Sequence, residues 1–418
     1  MTPILSISQD QELIPIGVAA VRNAVVHIVA PGKPDGSVRA PIEVAFVLDR
    51  SGSMSDGKLE LAKLALRNAL EDLGPKDRFS IVVYDNYVDV VFEACEATSK
   101  AKRAALAALS NIEARGNTNL GLGWLTGATQ IAGLTKLSRL MLLTDGLANE
   151  GICDIAELEK HAAELRKRNI STSTFGVGDR FNEELLQRIA TAGGGNFYYI
   201  ANAAQISDYM MSELGEALEI VATGVTLSIT HDADLEVESL SVLASEHTAQ
   251  GTRLFLGSLV ADQELDIILR LKIEGGDHDR MYQVVCASTD GALSLDGSLL
   301  LRVVPAAQAE AETPDADVVR AVAALDIARA HQEAVALNRA GRYGDAQSVM
   351  SSTVAYYGSY ARTDAALRST LEGATLASAD YGASMSEADL KNNYWNASNT
   401  ARGRTFTGQA RRAGKVKS

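Results

Sequence analysis

The sequence predicts an α/β domain with a doubly wound, mostly parallel sheet, which is inserted in an all-β sandwich and followed by a small α-helical domain. Three observations support this fold class. Strand and helix patterns alternate from Ile42 to about Ile200, as expected for a parallel sheet with crossover helices. Strand patterns without helices lie on both sides of that segment, over residues 1–40 and from Val225 to Val304. Apolar residues at helical spacing dominate after Val318.

Changes in pattern and composition divide the chain into six predicted segments. Ala, Glu and Pro dominate the segment expected to be a linker. The C-terminal segment is polar, and from Arg402 to Lys417 it has six basic residues and no acidic one, which is typical of a disordered tail. The predicted segments are N-terminal sandwich strands (1–40), the α/β domain (41–205), the rest of the β-sandwich (206–305), a linker (306–317), a helical hairpin or bundle (318–378) and a flexible basic tail (379–418).

Length and composition exclude several classes of protein. A chain of 418 residues with 46% hydrophobic and 22% charged residues is expected to form two or three globular domains. A formal net charge of −14 argues against nucleic-acid binding, and the lack of an apolar run of roughly 18 residues argues against a membrane span. Three cysteines without a CxxC pair indicate thiols in a reducing compartment, and the N-terminus has no secretory signal pattern. We therefore expect a cytoplasmic protein.

The first central strand of the α/β domain ends in a group of polar residues. Val44 to Leu48 is an unbroken apolar run, which predicts a strand buried on both faces of the sheet. Asp49, Ser51 and Ser53 follow in the pattern Asp-x-Ser-x-Ser. A carboxylate at the end of such a strand is costly unless it lies at the carboxyl edge of the sheet and binds something there. One carboxylate and two hydroxyls are hard oxygen ligands, suited to Mg²⁺, Mn²⁺ or Ca²⁺ and not to zinc.

The remaining elements of this domain bring two more polar residues to the same edge. The run Arg139–Thr144 predicts a second fully buried strand, and it also ends in a carboxylate, Asp145. Thr118, in a Gly-Asn-Thr-Asn loop, precedes a predicted helix. Loops that follow neighbouring strands meet at the topological switch point of a doubly wound sheet. Asn149 lies in the loop after Asp145 and is a candidate for shaping a surface that faces a ligand. The other predicted elements of this domain are helices at Lys58–Leu73, Ser99–Ile112, Asn119–Ala132, Asp154–Asn169 and Asn182–Ala192 and strands at Arg78–Tyr84, Val88–Phe92, Ser171–Val177 and Asn196–Ile200.

The segments outside this domain are predicted to be strands and then helices. Turns such as Gly275-Gly-Asp separate the strands, which favours an antiparallel sandwich completed by the N-terminal segment. Two helices are expected, from Val318 to Leu337 and from Tyr343 to about Leu376, and their junction resembles a single tetratricopeptide-like hairpin. The predicted sandwich strands are Leu13–Val18, Ala24–Val29, Val225–Thr230, Leu235–Leu243, Thr252–Leu256, Glu264–Ile273, Tyr282–Ala287 and Ser298–Val304.

Three motifs together resemble a known family. They are Asp-x-Ser-x-Ser, the threonine loop and Leu143-Thr-Asp-Gly146, and they resemble the von Willebrand factor type A (VWA) domain and its metal-ion-dependent adhesion site (MIDAS) over about residues 40–205. The order of sandwich strands, inserted domain, further sandwich and helices is similar to that of bacterial, cytoplasmic members of the superfamily. The resemblance implies a VWA, Rossmann-like fold.

The resemblance also implies a role for each motif residue. Ser51, Ser53 and Thr118 would coordinate a divalent cation directly, and Asp49 and Asp145 would do so directly or through water. Mg²⁺ is the expected ion, with Mn²⁺ and Ca²⁺ as alternatives. In that family a carboxylate from the ligand completes the coordination sphere. A largely neutral set of hydroxyl ligands agrees with this role, because it leaves the ion electrophilic.

We therefore expect a non-enzymatic, metal-dependent adaptor that binds an Asp or Glu of a protein partner. We expect no nucleic-acid or membrane partner, and the chain could also form homo-oligomers. One alternative is a self-assembling scaffold that uses the same site. Another is a metal-dependent phosphoester hydrolase. An aspartyl-phosphate enzyme would need a second acid two residues after Asp49, where this chain has Ser51. A serine hydrolase would need Gly-x-Ser-x-Gly, which the segment around Ser53 does not provide.

Overall fold

The computed structural model describes residues 2–33, 36, 39–131 and 137–413, and the chain divides into two compact units. One unit, from residue 34 to residue 220, is inserted in the other, which contains residues 1–33 and everything from residue 221 onward. The predicted fold class is confirmed, because an α/β domain interrupts an all-β sandwich that is followed by helices.

The strands are numbered here in chain order. They are β1 (Ile4–Gln9), β2 (Leu13–Pro15), β3 (Ala20–Val29), β4 (Glu43–Asp49), β5 (Arg78–Tyr84), β6 (Val88–Glu96), β7 (Ser138–Thr144), β8 (Ile170–Val177), β9 (Gly194–Ile200), β10 (Ile220–His231), β11 (Leu235–Ser239), β12 (Ala244–Thr248), β13 (Gly251–Val260), β14 (Glu264–Ile273), β15 (Arg280–Ala287) and β16 (Ser294–Val304).

The α-helices are numbered in the same way, and short 3₁₀ turns lie at Gly52–Met54, Ala203–Gln205 and Tyr360–Arg362. The α-helices are α1 (Lys58–Asp72), α2 (Ser99–Leu109), α3 (Leu120–Gln130), α4 (Ile155–Lys167), α5 (Glu183–Ala192), α6 (Ile206–Leu218), α7 (Ala306–Glu310), α8 (Ala316–Arg339), α9 (Tyr343–Tyr357), α10 (Ala365–Tyr381) and α11 (Glu387–Ala401). Among the described residues, no helix combines the length and apolarity needed to cross a membrane.

The sheet of the inserted unit has the order β6-β5-β4-β7-β8-β9 and is parallel except at β6. Every residue of β4 and of β7 is buried, as their unbroken apolar runs predict. β4 pairs with β5 on one side and with β7 on the other, so the winding direction reverses between β4 and β7. The carboxyl ends of these two strands therefore form the switch point, where ligands bind in doubly wound folds.

The inserted unit extends beyond the predicted boundary at residue 205. Helix α6 belongs to it, and the α6 carboxylate of Glu213 is buried. That carboxylate accepts hydrogen bonds from Ser173 Oγ at 2.6 Å, Tyr198 Oη at 2.7 Å and Asn196 Nδ2 at 2.9 Å. A buried acid on an otherwise apolar helix face gives no sequence signal of its own, which explains why the sequence predicts the boundary too early. The predicted end of helix α3 at Ala132 lies outside the described residues.

The sandwich contains two sheets, and N-terminal strands contribute to both. Their orders are β1-β3-β14-β11 and β12-β13-β10-β15-β16-β2. β3 pairs with β14 over its whole length, and β2 pairs with β16. The N-terminal segment is thus an integral part of the sandwich. Strand β12 was not predicted, because its residues are mostly exposed and polar.

Two predicted segments near the C-terminal end are wrong in detail. The linker predicted at 306–317 contains helix α7 and the start of α8. Asp315 caps the first turn of α8, because its Oδ1 accepts from the Val318 N–H at 3.0 Å. The long second helix predicted to run from Tyr343 is broken at Gly358 into α9 and α10.

The prediction that residues 379–418 form a flexible tail is also wrong over the residues that the structure describes. Helix α11 buries Leu390 in the helical core and also buries Trp395, and its N-terminus is capped by Ser386. Further on, the carbonyl of Arg411 accepts from the Glu264 N–H at 2.8 Å, at the edge of the sandwich. The polar composition concealed a few well-spaced apolar residues that are sufficient to bury one face of a helix. Residues 414–418 lie outside the described part of the chain.

Candidate metal centre

Two buried carboxylates define the switch point of the α/β sheet. Asp49 is the last residue of β4, Asp145 directly follows β7, and both are fully buried. Asp49 accepts two hydrogen bonds, from the Ser51 N–H to Oδ1 at 2.7 Å and from Thr144 Oγ1 to Oδ2 at 2.6 Å. These bonds hold its carboxylate in one orientation at the strand end.

The loop after β4 carries both predicted serines into contact with this pair. It turns through Gly52–Met54 before helix α1 begins at Lys58. The two hydroxyl oxygens, Ser51 Oγ and Ser53 Oγ, lie 3.1 Å apart. Ser53 Oγ donates to Asp145 Oδ1 at 2.5 Å, so the first motif and the second strand meet through a direct hydrogen bond.

Thr118 reaches the same place from the loop before α3. Its backbone N–H donates to Asn149 Oδ1 at 3.0 Å, and its carbonyl accepts from the Asn149 N–H at 3.2 Å. A Cβ added to Gly146 would lie 3.3 Å from Thr118 Oγ1 and 3.5 Å from Ser53 Oγ. The hydroxyls of Thr118 and Ser53 therefore converge beside Gly146. The two hydrogen bonds with Asn149 hold the threonine loop in place.

The threonine loop depends on a glycine with positive φ. Gly116 has φ = 71°, and its carbonyl accepts from the Gly52 N–H at 3.0 Å, which ties this loop to the serine loop. A Cβ on Gly116 would lie 2.3 Å from Asn86 Oδ1. Only glycine fits here, because a side chain would have both a strained backbone and a steric clash.

An ion-pair cluster centred on the buried Asp85 joins these loops. Asp85 Oδ2 accepts from Arg50 Nε at 3.0 Å and from Arg115 Nε at 2.6 Å. Burial of Asp85 opposes its ionisation, but the hydrogen bonds from Arg115 and the Tyr87 N–H and the charge of Arg50 outweigh it and lower its pKa. The Arg115 N–H also donates to the Arg50 carbonyl at 2.7 Å, which joins the loop after β4 to the threonine loop.

The site is electrostatically suited to a cation. Burial raises the pKa of Asp49 to about 6, against hydrogen bonds from Thr144 and Ser51 that lower it, and the nearby charge of Asp145 raises it further. The ammonium group of Lys58 donates to Asp145 Oδ2 and to the Ser53 carbonyl, the latter at 3.3 Å. Sequence reasoning missed Lys58, although its place in the first turn of the helix after the motif could have suggested it.

The hydroxyl groups open onto a cleft of about 310 Å³. Sequence reasoning identified the hydroxyl-bearing residues of its wall but not Leu147 and Arg180, both exposed. Arg180 lies in the loop after β8, at the same carboxyl edge of the sheet. This position after a strand is the sequence feature from which Arg180 could have been predicted as part of the site. The cleft gives solvent access to the hydroxyls beside the two buried carboxylates.

The residues present fit a hard divalent cation. Three hydroxyls and two carboxylates converge, and all five are oxygen donors of the kind that Mg²⁺, Mn²⁺ and Ca²⁺ prefer. No group of three or more His, Cys, Asp and Glu side chains suited to a metal occurs among the described residues, so a zinc-type set is absent there. The donor set is therefore rich in neutral hydroxyls.

Comparison with known proteins agrees with this geometry. Residues 43–212 match the family described as the von Willebrand factor type A domain. This segment of the chain is a VWA domain. The chain is 33% identical over 191 residues to the uncharacterized protein YfbK of Escherichia coli, which is 44% of this chain and 33% of that protein. It is 25% identical over 261 residues to human inter-alpha-trypsin inhibitor heavy chain H3, which is 60% of this chain and 29% of that protein.

Two solved structures share most of the architecture. A von Willebrand factor type A protein from Catenulispora acidiphila superposes with a TM-score of 0.69 at 20% identity, over 84% of this chain and 87% of that one. The ArnB paralog VWA2 from Sulfolobus acidocaldarius superposes with a TM-score of 0.65 at 16% identity, over 98% of this chain and all of that one. At these identities the likeness shows the fold alone. The chain spans only about a third of the length of the curated relatives named above.

Proposed function

We propose that the VWA domain is a non-enzymatic protein-binding module that captures an Asp or Glu side chain of a partner through a bound divalent cation, Mg²⁺ first, with Mn²⁺ and Ca²⁺ as alternatives. The observation that carries this proposal is the convergence of Ser51, Ser53 and Thr118 with two buried carboxylates at an open cleft. VWA domains are in general protein-interaction modules, which supports the same reading.

Each of the five residues has a distinct part in this proposal. Ser51, Ser53 and Thr118 would supply neutral hydroxyl ligands facing the cleft. Asp49 and Asp145 would supply the negative charge, and their carboxylates would contact the cation directly or through water. The cation, when bound, supplies a positive centre that a carboxylate can reach. Because the hydroxyls are uncharged, the protein would leave much of that positive charge for the partner to neutralise.

The arrangement supports binding better than turnover. Asp49 is held by two hydrogen bonds, and the position two residues after it is Ser51, where an aspartyl-phosphate enzyme would have an acid.

All three cysteines are unpaired thiols, which fits the reducing cytoplasm that we propose as the location.

The test is a pulldown from a cell lysate with the full chain, in Mg²⁺ and in EDTA, read by mass spectrometry. Thr118→Ala should abolish the metal-dependent captures and lower metal affinity. Thr129→Ala is the matched control, because this exposed threonine lies at the far end of helix α3 and its hydroxyl donates to the Thr126 carbonyl at 2.7 Å.

If the same proteins are pulled down in EDTA and by the Thr118→Ala variant, the metal-bridged mechanism is refuted. Light scattering as a function of protein and Mg²⁺ concentration separates the adaptor from a self-assembling scaffold, since only the scaffold grows with both. Turnover of phosphoesters that is abolished by Thr118→Ala would instead establish the hydrolase alternative.

A further inference from the structure

The rim of the cleft contains an arginine that the five proposed metal ligands do not use. Arg180 is exposed and lines the same cleft as Ser51 and Thr118. Among the contacts found in the described part of the chain, its guanidinium makes no ion pair and no side-chain hydrogen bond. A guanidinium has five donors in a planar fork that matches a carboxylate, so its orientation toward a ligand cleft is chemically informative.

Three other basic side chains of the described loops around the site pair with the protein's own acids. Lys58 bonds to Asp145, and Arg50 and Arg115 bond to Asp85. None of these three residues lines the cleft, whereas Arg180 does.

Two acidic side chains of the neighbouring loops make no ion pair with Arg180 among the described residues: Asp179, which precedes it in the chain, and Glu150, which has other partners. Glu150 Oε2 accepts from Asn86 Nδ2 at 2.9 Å and from Asn117 Nδ2 at 3.4 Å. It therefore forms part of the link between two loops and makes no ion pair with Arg180 within the described residues. In a chain with a net charge of −14, an unneutralised arginine at the rim favours an acidic ligand at that point.

The position of Arg180 in the sheet indicates how far its ligand lies from the ion. β8, which precedes Arg180, pairs with β7, which precedes Asp145, and β7 pairs with β4. Neighbouring strands are about 4.8 Å apart, so the loop of Arg180 starts one to two strand spacings from the loops that carry the proposed ligands. In an extended peptide, side chains two residues apart point to the same side and are separated by roughly 6.6 Å. The separation of alternate side chains along the peptide therefore lies between one and two strand spacings.

We propose that the partner presents two carboxylates in an extended segment, one to the cation and a second, two residues away, to Arg180. Leu147, which is exposed and lies in the intervening loop after β7, would contact the segment between them. This inference rests on the proposed metal-dependent function and specifies its ligand. Arg180 is then a specificity-determining residue: it selects paired acids over single ones.

The experiment uses the full chain in Mg²⁺ and two synthetic peptides labelled for fluorescence polarisation. One peptide has an Asp-x-Asp segment, and the other is identical except that its second Asp is Asn. Arg180→Ala is the test variant, and Arg168→Ala is the matched control, because Arg168 is an exposed arginine at the end of α4, before β8 and hence at the opposite edge of the sheet. Mn²⁺ affinity is measured for all variants.

We expect the paired-acid peptide to bind the wild type about fivefold more tightly than its single-acid counterpart, which is the upper end of the contribution of an exposed ion pair. Arg180→Ala should remove that difference, while Arg168→Ala keeps it and Mn²⁺ affinity stays unchanged in both. Equal binding of the two peptides by the wild type would overturn the inference and leave the metal-dependent function standing. A loss in Arg180→Ala that is equal for both peptides would overturn it as well, since Arg180 would then serve the first carboxylate. Binding of both peptides that is unaffected by EDTA would refute the proposed function itself.

Discussion

Replacement of Asp49 by asparagine should stabilise the metal-free protein while it removes metal binding. The carboxylate is fully buried, and burial raises its pKa to about 6 from an ordinary value of 3.8. Ionising it in the folded chain is therefore unfavourable when no cation is present. The Asp49→Asn side chain can still accept from the Ser51 N–H, and its amide can donate to the Thr144 hydroxyl, which is free to rotate.

The sign and size of the effect follow from the pKa difference. An acid with a raised folded-state pKa contributes stability that is present below its unfolded pKa, near 3.8, and is lost as the pH rises through about 6. A difference of about two pKa units corresponds to roughly 3 kcal/mol. We expect Asp49→Asn to be more stable than the wild type by about 1–3 kcal/mol in EDTA at about pH 7.5, once the cost of the new amide is included. The advantage should vanish near pH 4.

Tryptophan fluorescence can report on the relevant unit alone. The chain has two tryptophans, Trp124 in helix α3 of the VWA domain and Trp395 in helix α11 of the other unit. Urea unfolding in a Trp395→Phe background then follows Trp124, which is fully buried. Saturating Mg²⁺ should stabilise the parent with Asp49 and leave Asp49→Asn unchanged.

Two results would refute this reasoning. The first is a lower stability for Asp49→Asn than for its parent in EDTA near neutral pH. The second is a parent whose stability in EDTA does not fall between about pH 4 and pH 7, because the buried charge would then be compensated by something other than a cation.

Three further predictions concern the ion, the threonine loop and the buried acid of α6. Mg²⁺ at 100 times its Kd should stabilise the VWA domain by about 2.7 kcal/mol, and Ser51→Ala should remove this gain in a melting experiment, whereas Ser55→Ala, an exposed change in the same loop, should not. Gly116→Ala should destabilise the VWA domain by about 1–3 kcal/mol and weaken Mn²⁺ binding, because the new Cβ meets Asn86. Gly178→Ala is the control, since it has similar backbone strain and a Cβ there has nothing within 4 Å. An equal loss of stability in Gly178→Ala would show that the clash with Asn86 is irrelevant. Glu213→Leu should cost about 3 kcal/mol or more in urea unfolding, since it removes the acceptor of two buried donors and one partly buried donor, and a loss below about 1 kcal/mol would mean that water replaces the carboxylate.

The parts of the structure that the sequence predicted well share a physical cause. Two strands buried on both faces must be apolar throughout, so a carboxylate at the end of each stands out. Asp49 and Asp145 therefore indicate the switch point from the sequence alone, and short loops bring the serine hydroxyls to it. Thr118 followed from the same edge argument, although its loop lies between more distant elements.

The parts that were missed depend on contacts that leave no local pattern. Lys58 and Arg180 are ordinary surface residues in sequence, and only the reach of their side chains toward the site gives them meaning. The composition predicts disorder over helix α11 because it averages over a window, while burial of Trp395 depends on a few positions. The α6 boundary was missed because Glu213 finds its three donors on β8 and β9.

The insertion of the VWA domain has a consequence for synthesis on the ribosome. His27 on β3 and its neighbour Asp266 on β14 are 239 residues apart in the chain, with the whole inserted unit between them. At about 5–20 residues per second, β3 must wait on the order of 10–50 s for β14, the second of its two partner strands, whereas the inserted unit is complete at residue 220. The VWA domain can thus fold while one edge of β3 in the nascent sandwich is still unpaired. Mutations that slow the later strands would expose β1 and β3 to aggregation without harming the site, so yield and activity per folded molecule should vary independently.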